Sequence, residues 1–217
     1  LFWLNDTLEL FGDYLYAPSL DTSPYGPTAV TAIVAAENLR YALVVDPLDT
    51  DKVDRGLEIA AAIDTHAWDA DAGFYLASPD IAELDLYPNV AMMIVWTLAH
   101  AATGSAEYLA KAGDLFQAIE PLRLDELGAY HSIYSSTVPD YVSLSSQNYL
   151  MFALHLLHAE TGDEAYRDEA LTVLDFISTH LYFNGMAWHH WESGERANWY
   201  CSGCNFQLLY VISMLSE

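Results

Sequence analysis

The segment Leu98-Ala99-His100-Ala101-Ala102-Thr103-Gly104, with Tyr108 behind it, returns 58 positions later as Leu156-Leu157-His158-Ala159-Glu160-Thr161-Gly162, with Tyr166 behind it. A second echo joins Ile63-Asp64-Thr65-His66 to Ile177-Ser178-Thr179-His180, 114 positions apart, or two steps of 57. A period of this length marks an array of supersecondary units, none of which can bury its apolar face alone. Each unit reads as helix, tight turn, helix, then a loop rich in Gly and aromatic residues. Val90 to Ala102 is almost continuously apolar, as suits an inner helix packed on most sides. Thr103-Gly104 ends it, because Gly takes the left-handed conformation that closes a helix. Ser105 can cap the next helix, which runs to about Ile119 ahead of Pro121. Gln147–Glu160 and Glu164–His180 repeat the plan, and Pro27–Val45 with Asp51–His66, joined through Asp46-Pro47, form an earlier pair.

The two ends look like halves of one more unit. Leu4–Leu15 reads as an unpaired outer helix and Asn205–Leu215 as an unpaired inner one. Paired, they close a ring and hide the apolar flanks that an open stack leaves bare. The expectation is an all-α chain, one domain over residues 1–217, whose tandem hairpins form an (α/α)4 toroid closed by the N-terminal helix against the C-terminal one. An open arc cut from a longer toroid is the alternative.

Composition narrows the partners. With 53% hydrophobic and 18% charged residues the chain has a core to bury and is not of the disordered class. Its 31 acidic and 7 basic residues give a net charge of −24, which repels nucleic-acid phosphates and anionic lipid. Asn, Asp, Glu or His interrupts each apolar run before it reaches membrane-spanning length. Few basic residues, many aromatics and a single Cys pair fit an extracytoplasmic setting, whether periplasmic, surface or secreted; oligomerisation stays open.

The loops between one outer helix and the next inner helix gather at one end of such a ring. They are Trp68-Asp69-Ala70-Asp71-Ala72-Gly73-Phe74-Tyr75, Asp125 to Tyr134, and Gly185 to Tyr200. Aromatic rings stack on pyranose faces, while carboxylates and His hold hydroxyls and move protons, so these loops suit a carbohydrate partner. Trp68, Tyr75, Trp188, Trp191, Trp199 and Tyr200 are the candidate sugar-binding rings, although each such ring can equally plug its loop against the helix ends.

The run W-D-x-D-x-G-F-Y resembles loops of six-hairpin glycosidases and of acylglucosamine-epimerase-like toroids. Gly128-Ala129-Tyr130-His131 ahead of Gln147-Asn148-Tyr149-Leu150 resembles the C-terminal domain of glucuronyl C5-epimerases. So does Trp188-His189-His190 ahead of Ala197-Asn198-Trp199-Tyr200 and Asn205-Phe206-Gln207-Leu208-Leu209. That likeness covers about the last 90 residues, and the β-rich domains usual in that family are not in this sequence. It implies a small α/α toroid acting on a polysaccharide. Epimerisation beside a carboxylate needs a base on one face, an acid on the other and a cation for the enolate-like charge. Tyr130, His131, Tyr134, His189, His190 and Tyr200 can supply the first two, and Arg196 the third. A glycosidase instead places two carboxyl groups across the bond, with Asp69, Asp71, Asp140, Glu192 and Glu195 as candidates.

No cofactor is required by either chemistry. Asp69-x-Asp71-x-Gly73 has the opening of a calcium loop without the closing Glu of an EF-hand, and a plain turn is the competing reading. Cys201-Ser202-Gly203-Cys204 reads as a local disulfide, as free thiols, or with His189 or His190 as a Zn²⁺ site, the disulfide being favoured. His66, His100, His158 and His180 recur at helix ends and read as structural. The functional expectation is a carbohydrate-active domain, uronosyl-epimerase-like or glycosidase-like. Its rival is a non-catalytic structural or interaction subunit of an extracellular assembly. A terpenoid-cyclase-like enzyme ranks last, for want of a D-D-x-x-D or D-x-D-D run.

Overall fold

The computed structural model describes residues 27–46, 49–77, 84–132, 140–197 and 199–216. Four long helices, α1 (Pro27–Val44), α3 (Leu86–Thr103), α5 (Leu144–Thr161) and α7 (Ser202–Leu215), form the inner layer. Three outer helices, α2 (Thr50–Ala67), α4 (Ala106–Ala118) and α6 (Glu164–Phe176), each pack against the inner helix before them. The inner helices also touch in order, α1 on α3, α3 on α5 and α5 on α7. Helix α3 shows why: Pro88 through Ala99 is buried without a break, so this helix has no solvent face to lose.

The inner helices begin and end as the repeat requires. Gly104 and Gly162 stop α3 and α5 in left-handed conformation, φ 72° and 69°, their N–H groups bonded to His100 O and His158 O at 2.7 Å. Thr103 and Thr161 donate back to Ala99 O and Leu157 O, while the His100 and His158 rings reach the carbonyls of Ser105 and Asp163 at 2.9 and 3.1 Å. These two His are structural, as their place in the repeat implies. Outer helix α6 ends earlier than expected, at Phe176. A wider π turn over Ile177–Leu181 follows and swings the His180 ring onto Phe176 and Trp191. The expected helix over Leu4–Leu15, and with it the closure of the ring, lies outside the described residues, as does Pro47 of the α1–α2 connection.

Every outer helix is followed by a short β-hairpin that sequence periodicity does not announce. These are β1–β2 (Trp68–Asp69 with Phe74–Tyr75), β3–β4 (Arg123–Leu124 with Ala129–Tyr130) and β6–β7 (Tyr182–Phe183 with Met186–Ala187). One amide clamps each hairpin to the next inner helix. Asn89 binds both N–H and C=O of Tyr75, Gln147 those of Tyr130, and Asn205 those of Ala187, all at 2.7–3.1 Å. The three amides stand 58 residues apart. A further sheet, β5 (Val142–Ser143), β8 (His190–Glu192) and β9 (Glu195–Arg196), lies ahead of α5 and α7.

A candidate active site at the mouth of the toroid

A hydrogen-bonded ribbon joins the starts of the inner helices. Leu86 N donates to Ser132 O, Ser132 N to Tyr141 O, and Leu144 N to His189 O, while Ser143 pairs with His190 across β5–β8. Ser143 N also donates to Ser132 Oγ at 2.7 Å. This ribbon carries His131, Tyr141, His189 and His190 onto one rim, because each is locked by backbone bonds on both sides.

The His pair is the chemical centre of that rim. His189 Nδ1 and His190 Nδ1 lie 3.0 Å apart, so one carries the hydrogen and the other accepts it. His189 stacks on Trp199 at 3.8 Å and 21°, and His190 tilts against Tyr141 at 5.0 Å. Burial first, and the neighbouring His190 second, lower the His189 pKa below its ordinary 6.5, which keeps that ring neutral and able to accept a proton. Glu192 Oε2 stands 3.7 Å from His190 Nε2 and forms an ion pair with it whenever His190 is protonated. Burial and then the Glu192 charge raise the pKa of Tyr141, so its hydroxyl stays a donor. His131 is buried, and its Nε2 accepts from Tyr141 N at 3.4 Å.

Sequence reasoning passed over a second row of polar groups. Asp85 caps α3 through Tyr87 N, and burial pushes its carboxyl up to about 6 against that bond. Tyr87 packs edge-on against Tyr149, 5.1 Å between centroids, and Tyr149 OH accepts from Gln207 Nε2 at 3.3 Å. Asp85, Tyr87, Tyr149 and Gln207 thus lie within the first two turns of α3, α5 and α7 or at their start. Tyr149 and Gln207 are 58 residues apart, so the repeat period itself could have found them.

Other candidates stand elsewhere. Tyr130 is fully buried and gives its hydroxyl to Glu169 on α6; burial and then the Glu169 charge raise its pKa, so it stays protonated. Tyr75 is likewise buried, donating to Asp64 and accepting from Trp96 Nε1 at 3.1 Å, with Trp68 edge-on to its ring. Trp188 bridges to Tyr200, which is exposed. Trp191 and Arg196 face each other on the side of β8–β9 away from His190, so Arg196 is not set beside the His pair. Asp140 is exposed, with φ 59°, beside Tyr141. Tyr134 lies outside the described residues. Asp69 turns its carboxylate onto the N–H groups of Asp71 and Ala72, the plain-turn reading of that loop. Cys201 and Cys204 are joined as a disulfide, which takes up both sulfurs a zinc site would need. Among the described residues no three His, Cys, Asp or Glu converge as metal ligands, and no helix is long and apolar enough to cross a membrane.

No protein-family model matches the chain, and no curated protein matches it in sequence. Solved structures do match in shape. Cellobiose 2-epimerase from Spirochaeta thermophila superposes with a TM-score of 0.76 at 13% identity, over 87% of this chain and 52% of that one. A GH76 α-mannanase from Bacteroides thetaiotaomicron gives 0.78 at 14% identity, over 98% and 63%. An inactive variant of the GH76 α-1,6-mannanase of Salegentibacter, solved with α-1,6-mannotetrose, gives 0.66 at 16%, over 74% and 50%. The chain therefore spans half to under two thirds of the length of these structures. At such identities the likeness speaks to architecture alone, an α/α toroid.

Proposed function

We propose that this chain is a carbohydrate-active domain that moves a proton on a sugar at the mouth of the toroid, in the manner of an epimerase. The supporting observation is the His189–His190 pair: two imidazoles in direct contact, one held neutral by burial, the other beside a carboxylate, both lodged between aromatic rings. The neutral His189 ring can take a proton from carbon and, once protonated, return it, with His190 and Glu192 beside it to balance the charge. That toroids of this shape include a cellobiose epimerase and mannotetrose-binding mannanases makes sugar the natural substrate class, although fold alone does not assign an activity. The four-hairpin ring remains our reading of the architecture.

Incubation with reducing and uronate-bearing oligosaccharides in D2O tests this. Deuterium should enter a sugar carbon, and the exchange should vanish in His189→Ala and His190→Ala. Asp85 motivates a second reading, glycoside hydrolysis, because a carboxyl with a pKa near 6 is a ready general acid. New reducing ends without carbon-bound deuterium would establish that reading instead. A chain that yields neither, and self-associates with concentration in light scattering, would be the structural subunit.

A further inference from the structure

The hairpin β8–β9 has two faces, and the mouth uses one of them. On the other, Trp191 stands opposite Arg196 and walls a cavity of about 550 Å³, completed by Thr179, His180, Phe183 and Trp188. That volume is in the range of small-ligand clefts. Its aromatic wall is fixed rather than loose. Trp191 is held edge-on by His180 at 4.9 Å and by Phe176 at 6.5 Å, and the Arg196 guanidinium lies 4.5 Å from the Phe183 ring centre.

Arg196 is unusual in this molecule. Arg40, Arg55, Lys111, Arg123 and Arg167 all sit in ion pairs, whereas among the described residues Arg196 has none, in a chain of net charge −24. Stacking on Phe183 covers one flat face of the guanidinium and leaves its N–H edge for a partner, the arrangement that grips a carboxylate with two parallel hydrogen bonds. Trp188, in the same wall, has its Nε1–H buried with no acceptor among the described residues. A buried donor of that kind calls for a ligand oxygen or a water. Glu195 on the rim works against a densely charged ligand, so the site suits one acidic residue at a time.

We propose that this cavity binds a carboxylate-bearing sugar residue of a polysaccharide, its carboxylate on Arg196 and its ring against Trp191. The inference rests on the reading of the chain as carbohydrate-active, but not on the chemistry at the mouth. It gives the chain a second grip on the polymer, separated from the His pair by the thickness of one hairpin.

The probe is a trisaccharide with one galacturonic acid residue and two neutral residues, titrated into the whole chain while tryptophan fluorescence is followed, beside its methyl ester. Esterification keeps the rings and removes the charge. Binding of the acid form should be saturable and weakened by salt, and the ester should bind at least ~10-fold more weakly, the loss expected for one charge-assisted pair. Arg196→Gln should show the same drop for the acid form with an unchanged melting temperature, since the side chain is exposed. Phe183→Ala should weaken binding as well, by freeing the guanidinium. Equal binding of acid and ester, equal binding by Arg196→Gln and the parent, or no saturable binding by the parent would each overturn the proposal. If carbon exchange in D2O fails while Arg196-dependent binding persists, the mouth chemistry is wrong and this site stands.

Discussion

Asp85 shows how one buried side chain can oppose stability. Its folded pKa, about 6, is above its ordinary 3.8, so the folded chain binds this proton more tightly than the unfolded chain does. The linked stability is complete below about pH 4 and is lost as pH rises through 6. At neutral pH the buried carboxylate is therefore a net cost. Asn caps a helix as well as Asp does, so Asp85→Asn should raise the melting temperature at pH 7, by about 1–3 kcal/mol in stability, with the gain gone at pH 4. A gain of equal size at both pH values would show that burial of the charge is not the cause. His189 works with the opposite sign. Its pKa is lowered, so the unfolded chain binds that proton more tightly, and stability falls as pH drops through 6.5 toward the folded value. His189→Phe should flatten that part of the pH–stability curve in thermal melts, while abolishing sugar turnover.

At the scale of elements the molecule is held by repeated devices, which also explain what the sequence could and could not tell. The Thr-Gly stops and the apolar inner helices were legible because helix periodicity and left-handed Gly are local properties. The hairpins β1–β2, β3–β4 and β6–β7 were not, because two-residue strands have no periodicity to read; only their turn glycines, Gly73, Gly128 and Gly185, all with positive φ, betray them. The candidate site was half legible for the same reason. His189, His190 and Glu192 lie close along the chain, whereas Tyr141 joins them only through the ribbon linking separate units. Alternation in β8–β9 then separates Arg196 from the His pair, an outcome that depends on a strand the sequence does not display. The clamps are open to test. In Gln147→Ala the N–H and C=O of Tyr130 lose their partners inside the core, since Gln147 and Tyr130 are both fully buried. The expected cost is about 2–4 kcal/mol in urea unfolding. Asn205→Ala should cost less, because its clamp on Ala187 is only part-buried. The reverse order would mean that the amides merely fill space.

Over the whole molecule the dominant fact is a charge of −24. Two ion pairs tie neighbouring units: Asp64 of α2 with Lys111 of α4 at 2.6 Å, and Arg123 of β3 with Glu169 of α6 at 3.0 Å, the signs reversed from one unit to the next. Each sits beside the hydroxyl of a buried Tyr, Tyr75 in the first and Tyr130 in the second. Salt weakens such pairs, and on that ground alone added NaCl would destabilise the chain. It also screens the mutual repulsion of the acidic residues, and there the numbers decide. Seven basic side chains can neutralise only a small part of 31 acidic ones, while the two inter-unit pairs are partly shielded from solvent and so are screened less. Repulsion among the unpaired carboxylates is the larger effect, because it is stronger in the compact fold than in the expanded chain. Melting temperature should therefore rise between low salt and about 1 M NaCl, where the Debye length is about 3 Å. Each kcal/mol of relieved repulsion is worth about 3 °C in a chain of this size. An uncharged osmolyte at matched osmolality separates screening from general surface exclusion. A melting temperature that falls as NaCl is added would mean that the fold is held by its few ion pairs rather than strained by its excess of acids. Lys111→Met would then be as damaging as the loss of a core residue.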